Sequence, residues 1–272
     1  MEVVIEAGIN CNGDLKISEK LIDIASTAGC QYVKFQKRTI NDVYTQEELD
    51  KYRESPFGTT NRDLKEGLEF SELEYLEIDE YCKNKGVKWF ASPWDVKSVF
   101  FLENFDIPFL KVPSALITNL SLLEICRGSD KQIILSTGMS TMSMIDAAVD
   151  VVGKDKIYCI MHCTSTYPSR PDELNMRCIA HLKDRYFWTK IGFSNHYPGL
   201  MGMMMSAVMD VDMIELHATL DRTMFGSDQA ASIEPRGIFE LMERIRLIEA
   251  MKGDGVKKIL DSEVPIIKKL RR

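Results

Sequence analysis

The sequence predicts a single-domain (β/α)₈ barrel, and three observations carry that expectation. Eight short apolar runs alternate with helical patterns along the chain. The runs are apolar on both faces, as parallel strands covered by helices must be. Eight βα units in about 250 residues match the size of this barrel.

In chain order the strands are expected at 3–9 (VVIEAGI), 32–36 (YVKFQ), 87–92 (VKWFAS), 109–114 (FLKVPS), 132–137 (QIILST), 157–163 (IYCIMHC), 189–194 (TKIGFS) and 213–218 (MIELHA). Helical patterns between them include KISEKLIDIASTAG, SELEYLEIDEYCKNKG, SMIDAAVDVVG and GIFELMERIRLIEAMKG. These close on glycine, the residue expected just past a helix end. The weaker alternative is an open doubly wound sheet. No G-x-G-x-x-G follows the first strand and no phosphate-binding Walker loop occurs, so nothing favours a nucleotide fold. With 272 residues and 45% hydrophobic content, the chain has material for one large core spanning 1–272.

One connection, 38–70, is far longer than the ~12–15 residues of an ordinary loop. It carries Tyr44, Tyr52, Phe57 and Phe70, so a packed lid is expected rather than a disordered segment. The tail 257–272 holds six basic and two acidic residues and is expected to be a solvated helical edge.

The net charge of −7 argues against a nucleic-acid or membrane-surface binder. Seven cysteines, an odd number without a C-x-x-C pair, read as reduced thiols of a cytoplasmic protein. The N-terminal MEVVIEAGIN has no basic region and is no signal peptide. The Met-rich run 199–213 is too short to span a bilayer and is expected to be a buried helix.

Barrel chemistry sits at the C-terminal ends of the strands. Every expected strand carries polar groups there: Glu6, then Lys34 and Gln36, Ser92, Lys111 and Ser114, Ser136 with Thr137, His162 with Tyr167, Ser194 with His196, and His217. Charged groups in apolar strands are costly unless paired or liganded, so their recurrence at one end points to one shared site. Each has a plainer reading. Glu6 can pair with Lys34, a role that stands level with an independent chemical one and is compatible with it, and the serines can satisfy loop backbone. Two lysines in an acidic protein suggest an anion site, and with the serines they suggest a phosphate cradle. His196 and His217 end neighbouring strands about 4.8 Å apart. Both can meet one divalent cation such as Mn²⁺, Fe²⁺, Co²⁺ or Zn²⁺, with Glu6 as a third neighbour. His162 is expected behind them, and His181, in a helical pattern, as structural.

The stretches EAGINCNGD, VKFQ, SPWD, LKVPS, LSTGM, HCTSTYPS, GFSNH and ELHATLDRTMFGSDQAASIEP, in order over 3–260, resemble the sialic acid (N-acetylneuraminate) synthase family and its nonulosonic-acid-forming relatives. The resemblance implies a barrel transferase that condenses phosphoenolpyruvate with an open-chain hexose such as N-acetylmannosamine, giving a nonulosonic acid and phosphate. It implies a divalent metal, Mn²⁺ foremost with Mg²⁺ or Co²⁺ as alternatives, on His196 and His217. It makes Glu6 the acid/base and puts Gln36 near the reacting centre. Phosphoenolpyruvate would be held by Lys34, Lys111, Ser92, Ser114, Ser136 and Ser194, and the sugar would lie near Tyr167 and Asp228.

Three departures stand out. Asn195 and Gln229 replace an aspartate and a histidine common in the family. The family also adds an antifreeze-like domain that carries an arginine into a dimer partner's sugar site, and this sequence stops at Arg272. A homodimer, or a separate antifreeze-like polypeptide, is the partner this implies besides the small-molecule substrates. Two rival functions remain open on sequence grounds: a Schiff-base aldolase using Lys34 or Lys111, and a non-catalytic synthase-like subunit that binds sugar or phosphoenolpyruvate.

Overall fold

The eight apolar runs form parallel strands that close on themselves. The computed structural model describes residues 1–271 and contains β1 (Glu2–Glu6), β2 (Tyr32–Lys37), β3 (Tyr52–Ser55), β4 (Gly58–Thr60), β5 (Lys88–Pro93), β6 (Phe109–Val112), β7 (Gln132–Ser136), β8 (Ile157–Cys163), β9 (Lys190–Asn195) and β10 (Met213–His217). The barrel order is β1-β10-β9-β8-β7-β6-β5-β2, closing through the β1–β2 pair. This is the expected (β/α)₈ barrel, with β3 and β4 as an extra antiparallel hairpin.

Local chemistry sets the helix ends. The helix Leu15–Ala28 starts where Asp14 accepts the Lys16 N–H, and stops at Gly29, whose φ of 83° suits glycine. The helix Glu72–Lys85 opens with a reciprocal Ser71–Glu74 capping box and stops at Gly86, φ 68°. Apolar faces of these helices pack on strands such as VVIE and IIL, whose side chains are buried on both faces.

Register places the functional ends level. Glu6 lies opposite Lys34 on one side and His217 on the other. The opposite rim is plugged by Glu2, which accepts hydroxyls from Tyr32 (3.3 Å) and Tyr158 (2.6 Å) and pairs with Lys190 at 3.3 Å. That rim reads as stability.

Some expectations need correction and others hold. The first strand stops at Glu6 rather than residue 9, because the chain turns into a 3-10 segment, Gly8–Cys11, with Gly8 at φ 40°. The 38–70 excursion is ordered, with helices Ile40–Val43, Gln46–Leu49 and Asn61–Gly67 around the hairpin. Leu49, Leu64 and Phe70 anchor it, whereas Tyr52 points to solvent. The Met-rich run forms the helix Met201–Val208, which is only half buried: Met203 and Ala207 face the core, while Met201, Met205 and Val208 are exposed. The tail holds the exposed helix Val264–Leu270, and Arg272 lies outside the described residues. All seven cysteines are free. Among the described residues no helix is long and apolar enough to cross a membrane.

Candidate active site

The strand ends enclose a cavity of about 180 Å³ lined by Lys34, Gln36, Ser92, Trp94, Lys111, Ser114, Ser136, Cys163, Tyr167, Ser194, His196, Glu215 and His217. Ten residues singled out from the sequence therefore line one space. Glu6 stands just behind it, and Asp228 touches it only through His217.

Two buried lysines form its cationic side. Lys34 Nζ lies 2.8 Å from Glu6 Oε2 and 3.5 Å from Glu215 Oε1, and Lys111 Nζ lies 2.5 Å from the same Glu215 oxygen. Ser194 Oγ donates to that oxygen at 3.1 Å. The Glu6–Lys34 pair that the sequence allows is present, but the sequence reading missed Glu215. Its signal was available: in MIELH, Glu215 stands two residues before His217, and side chains two apart on a strand share a face.

Burial alone would drive both ammonium groups toward neutrality. For Lys34 the opposing charges of Glu215 and Glu6 prevail, and its pKa is raised. Lys111 has one carboxylate and the repulsion of Lys34, and burial leaves its pKa lowered. Burial also works against the Glu215 carboxylate, yet Lys111 and Lys34 outweigh it and hold its pKa well below the usual range.

Hydroxyls and a backbone amide surround the lysines. Lys34 Nζ lies 3.5 Å from Ser92 Oγ. The Gly138 N–H reaches Ser114 Oγ at 3.0 Å and Cys163 Sγ at 3.1 Å. Gly138 has no room for a side chain: a Cβ there would meet Ser165 Oγ at 2.1 Å. Cations, hydroxyls and an N–H gathered in a small cavity suit an anion with several oxygens.

The two imidazoles adjoin this cradle, with ring centroids 5.2 Å apart and planes at 76°. His196 Nδ1 is 2.5 Å from the Thr164 carbonyl, and Nε2 is 2.8 Å from the Tyr167 hydroxyl. A carbonyl only accepts, so Nδ1 carries the proton and the Nε2 lone pair accepts the Tyr167 O–H. Burial, reinforced by His217, lowers the His196 pKa to about 3, so this ring is neutral at physiological pH. His217 Nδ1 lies 3.4 Å from Asp228 Oδ2, so this carboxylate orients the ring through Nδ1. Burial would raise the Asp228 pKa, but hydrogen bonding and charge from His217 bring it down to about 2.

Two adjacent imidazoles are a fitting start for a divalent cation. Among the described residues no cluster of three His, Cys, Asp or Glu side chains is arranged to hold one. Glu6, the expected third neighbour, is occupied by Lys34 and by Gln36, whose Nε2 donates at 2.7 Å. The donor set thus suits an open site completed by water or substrate oxygens rather than a closed structural cage.

The remaining residues lie elsewhere. Asn195 turns away from the cavity and ties its own turn, donating to the Tyr197 carbonyl at 2.7 Å. Gln229 is buried and donates to the Asn10 and Phe225 carbonyls. His162 Nε2 meets the Leu174 carbonyl at 2.7 Å, and His181 is an exposed residue of the helix Cys178–Arg185.

The chain is similar to known proteins over nearly its whole length. The NeuB family model matches residues 21–257. The N,N'-diacetyllegionaminic acid synthase of Campylobacter jejuni is 33% identical over 277 residues, covering 99% of this chain and 83% of that protein. The human N-acetylneuraminate-9-phosphate synthase is 31% identical over 271 residues, covering 98% of this chain and 76% of that one. The crystal structure of the N-acetylneuraminic acid synthetase of Leptospira borgpetersenii in complex with citrate aligns with a TM-score of 0.82 at 31% identity, covering 99% of this chain and 92% of that chain.

Proposed function

The chain belongs to the NeuB family, and on that premise we propose that it is a phosphoenolpyruvate-dependent, carbon–carbon bond-forming transferase. It joins phosphoenolpyruvate to an open-chain hexose, N-acetylmannosamine or a relative, and releases phosphate and a nonulosonic acid. The observation that carries this reading is the pair of buried lysines gathered on Glu215 beside two adjacent imidazoles in one cavity.

Lys34 and Lys111, both buried, balance the charge of phosphoenolpyruvate, and Ser92, Ser114, Ser136 and Ser194 supply hydroxyl contacts. C3 of the enol attacks the aldehyde carbon, forming the C–C bond, and the aldehyde oxygen takes up a proton. Positive charge develops at C2, and water adds there. The C2–O bond then breaks and phosphate leaves with its electron pair. Glu6 moves the proton for sugar ring opening or for the attacking water, and Gln36 holds its carboxylate. Tyr167 turns its hydroxyl inward at the sugar side, and Asp228 orients His217. A divalent cation, Mn²⁺ foremost and Mg²⁺ or Co²⁺ as alternatives, would be held by His196 and His217 and supplies Lewis-acid polarisation of the aldehyde.

The test is phosphate release from phosphoenolpyruvate with Mn²⁺ and a panel of N-acylated and plain hexoses. Release is expected only when a hexose is present, is lost in excess EDTA and returns with Mn²⁺. Release that persists in excess EDTA removes the metal from the proposal, and no release with any hexose removes the reaction.

The lowered pKa of Lys111 is also what a Schiff-base aldolase would need. Its tight contact with Glu215 argues for a charge-holding role instead. Borohydride treatment in the presence of pyruvate is expected to leave the mass of the protein unchanged. A covalent adduct on Lys111 or Lys34 would establish the aldolase.

A further inference from the structure

We propose that Arg38 is a positioning residue for Glu6, acting through the side-chain amide of Gln36 and held in turn by Glu69 at the neck of the 38–70 excursion. The proposal rests on the reading of Glu6 as the proton carrier.

The first and next-to-last residues of the excursion meet. The Glu69 carboxylate accepts the Arg38 backbone N–H at 3.1 Å and the Arg38 guanidinium at 3.4 Å, and it pairs with Lys37 at 3.3 Å. Lys37 also donates to the Phe70 carbonyl at 3.0 Å. These contacts clasp the neck, and the Arg38 side chain is only 9% exposed. Its guanidinium lies over the Trp94 ring, 4.3 Å from the centroid, and Trp94 lines the central cavity.

From the clasp one hydrogen-bonded line runs inward. Arg38 Nη2 donates to Gln36 Oε1, and Gln36 Nε2 donates to Glu6 Oε1 at 2.7 Å. A guanidinium only donates and a carboxylate only accepts, so the two ends jointly dictate which way the amide faces. The backbone makes room for this pair. A Cβ on Gly8 would lie 2.2 Å from Glu6 Oε1 and 3.0 Å from Gln36 Nε2, and Gly8 has φ 40°. The line therefore joins the base of the excursion to the carboxylate beside Lys34. Its function is to keep Glu6 at one angle, so that loosening the neck also loosens the proton carrier.

Arg38→Met keeps the stem over Trp94 and removes the donors. It is expected to lower kcat about 10- to 100-fold, part of the roughly 10²–10⁴ that a positioned acid–base group contributes, with KM for phosphoenolpyruvate within about threefold of wild type. In a Gln36→Ala background the same change is expected to cost nothing further, because the line is already cut. Glu69→Gln is expected to move kcat in the same direction by less. An unchanged kcat in Arg38→Met, or a loss of equal factor with and without Gln36, would overturn the proposal.

A second readout does not need turnover. The Gln36 side-chain amide protons, assigned by their absence in Gln36→Ala, are expected to exchange faster and shift in Arg38→Met. Identical amide signals in wild type and Arg38→Met overturn the proposal even if the wild-type protein turns over no hexose, a result that would itself count only against the reaction.

Discussion

Glu215→Ala is expected to destabilise the barrel by about 3–5 kcal/mol, the usual cost of stripping one partner from a buried ion cluster. Glu215 Oε1 takes Lys111 at 2.5 Å, Lys34 at 3.5 Å and Ser194 at 3.1 Å. Without it, Lys111 loses its carboxylate and two ammonium groups share a buried space with Glu6 alone. A cavity adds to the cost, but the unpaired charge dominates. Urea or thermal unfolding measures the change. A loss under about 1 kcal/mol, within the range of an ordinary surface substitution or a little above it, would mean that the lysines find another partner or stay neutral.

The same carboxylate makes stability depend on pH, and its sign follows from its depressed pKa. Burial disfavours the charged form, yet Lys111 and Lys34 more than offset it, so the folded carboxyl ionises at lower pH than an unfolded one. At pH above the unfolded value, about 4.3, the full stabilisation is present. It is lost as pH falls from there toward the folded pKa, because the unfolded chain takes up the proton first. Glu215→Gln should therefore differ most from wild type near neutrality and converge with it in acid. The double role explains why this residue carries such weight: the group that holds the cationic nest together also keeps it in register with Ser194.

The barrel was legible because its strands are apolar on both faces and their helices start and stop on short-range signals such as Asp14, Ser71 and Gly29. The boundaries were less legible, for a physical reason. Ala7, Gly8 and Ile9 continue an apolar run, but the chain turns at Gly8, whose φ of 40° glycine adopts freely, into the 3-10 segment Gly8–Cys11. The Met-rich helix has methionines all round and only Ser206 as a polar residue, so composition cannot say which face meets the core; Met203, Ser206 and Ala207 do, and Met201 does not.

The site was partly legible because strand ends in a barrel converge whatever their separation in sequence. That topology was enough to bring Lys34, Lys111, His196 and His217 together. Glu215 was less legible because His217 ends the same strand, although period-two alternation places both on one face. Asp228 lies in a loop beyond β10, and only a three-dimensional fold shows it returning to His217 Nδ1. Arg38 and Glu69 were beyond reach altogether, since their meeting depends on how the excursion closes.

His217→Ala is expected to lower kcat/KM by about 10³-fold, comparable to removing a principal electrostatic contact to the reacting oxygen, and to abolish measurable Mn²⁺ binding by the isolated protein. The fold should survive, because the ring lies at the cavity edge of β10 and its main packing partners, Tyr167 and His196, belong to the same site. Asp228 would lose its imidazole partner but keep the Ser227 hydroxyl at 2.8 Å. Asp228→Asn separates ligation from orientation: it leaves His217 in place but weakens the hold on its Nδ1 proton, so Mn²⁺ affinity should fall by about 10- to 100-fold rather than vanish. Mn²⁺ titration followed by electron paramagnetic resonance, with turnover measured on the same samples, resolves the two variants. Undiminished Mn²⁺ binding in His217→Ala would show that the paired imidazoles are not the ligands. Turnover that falls while binding is kept would assign His217 to the substrate instead of the metal.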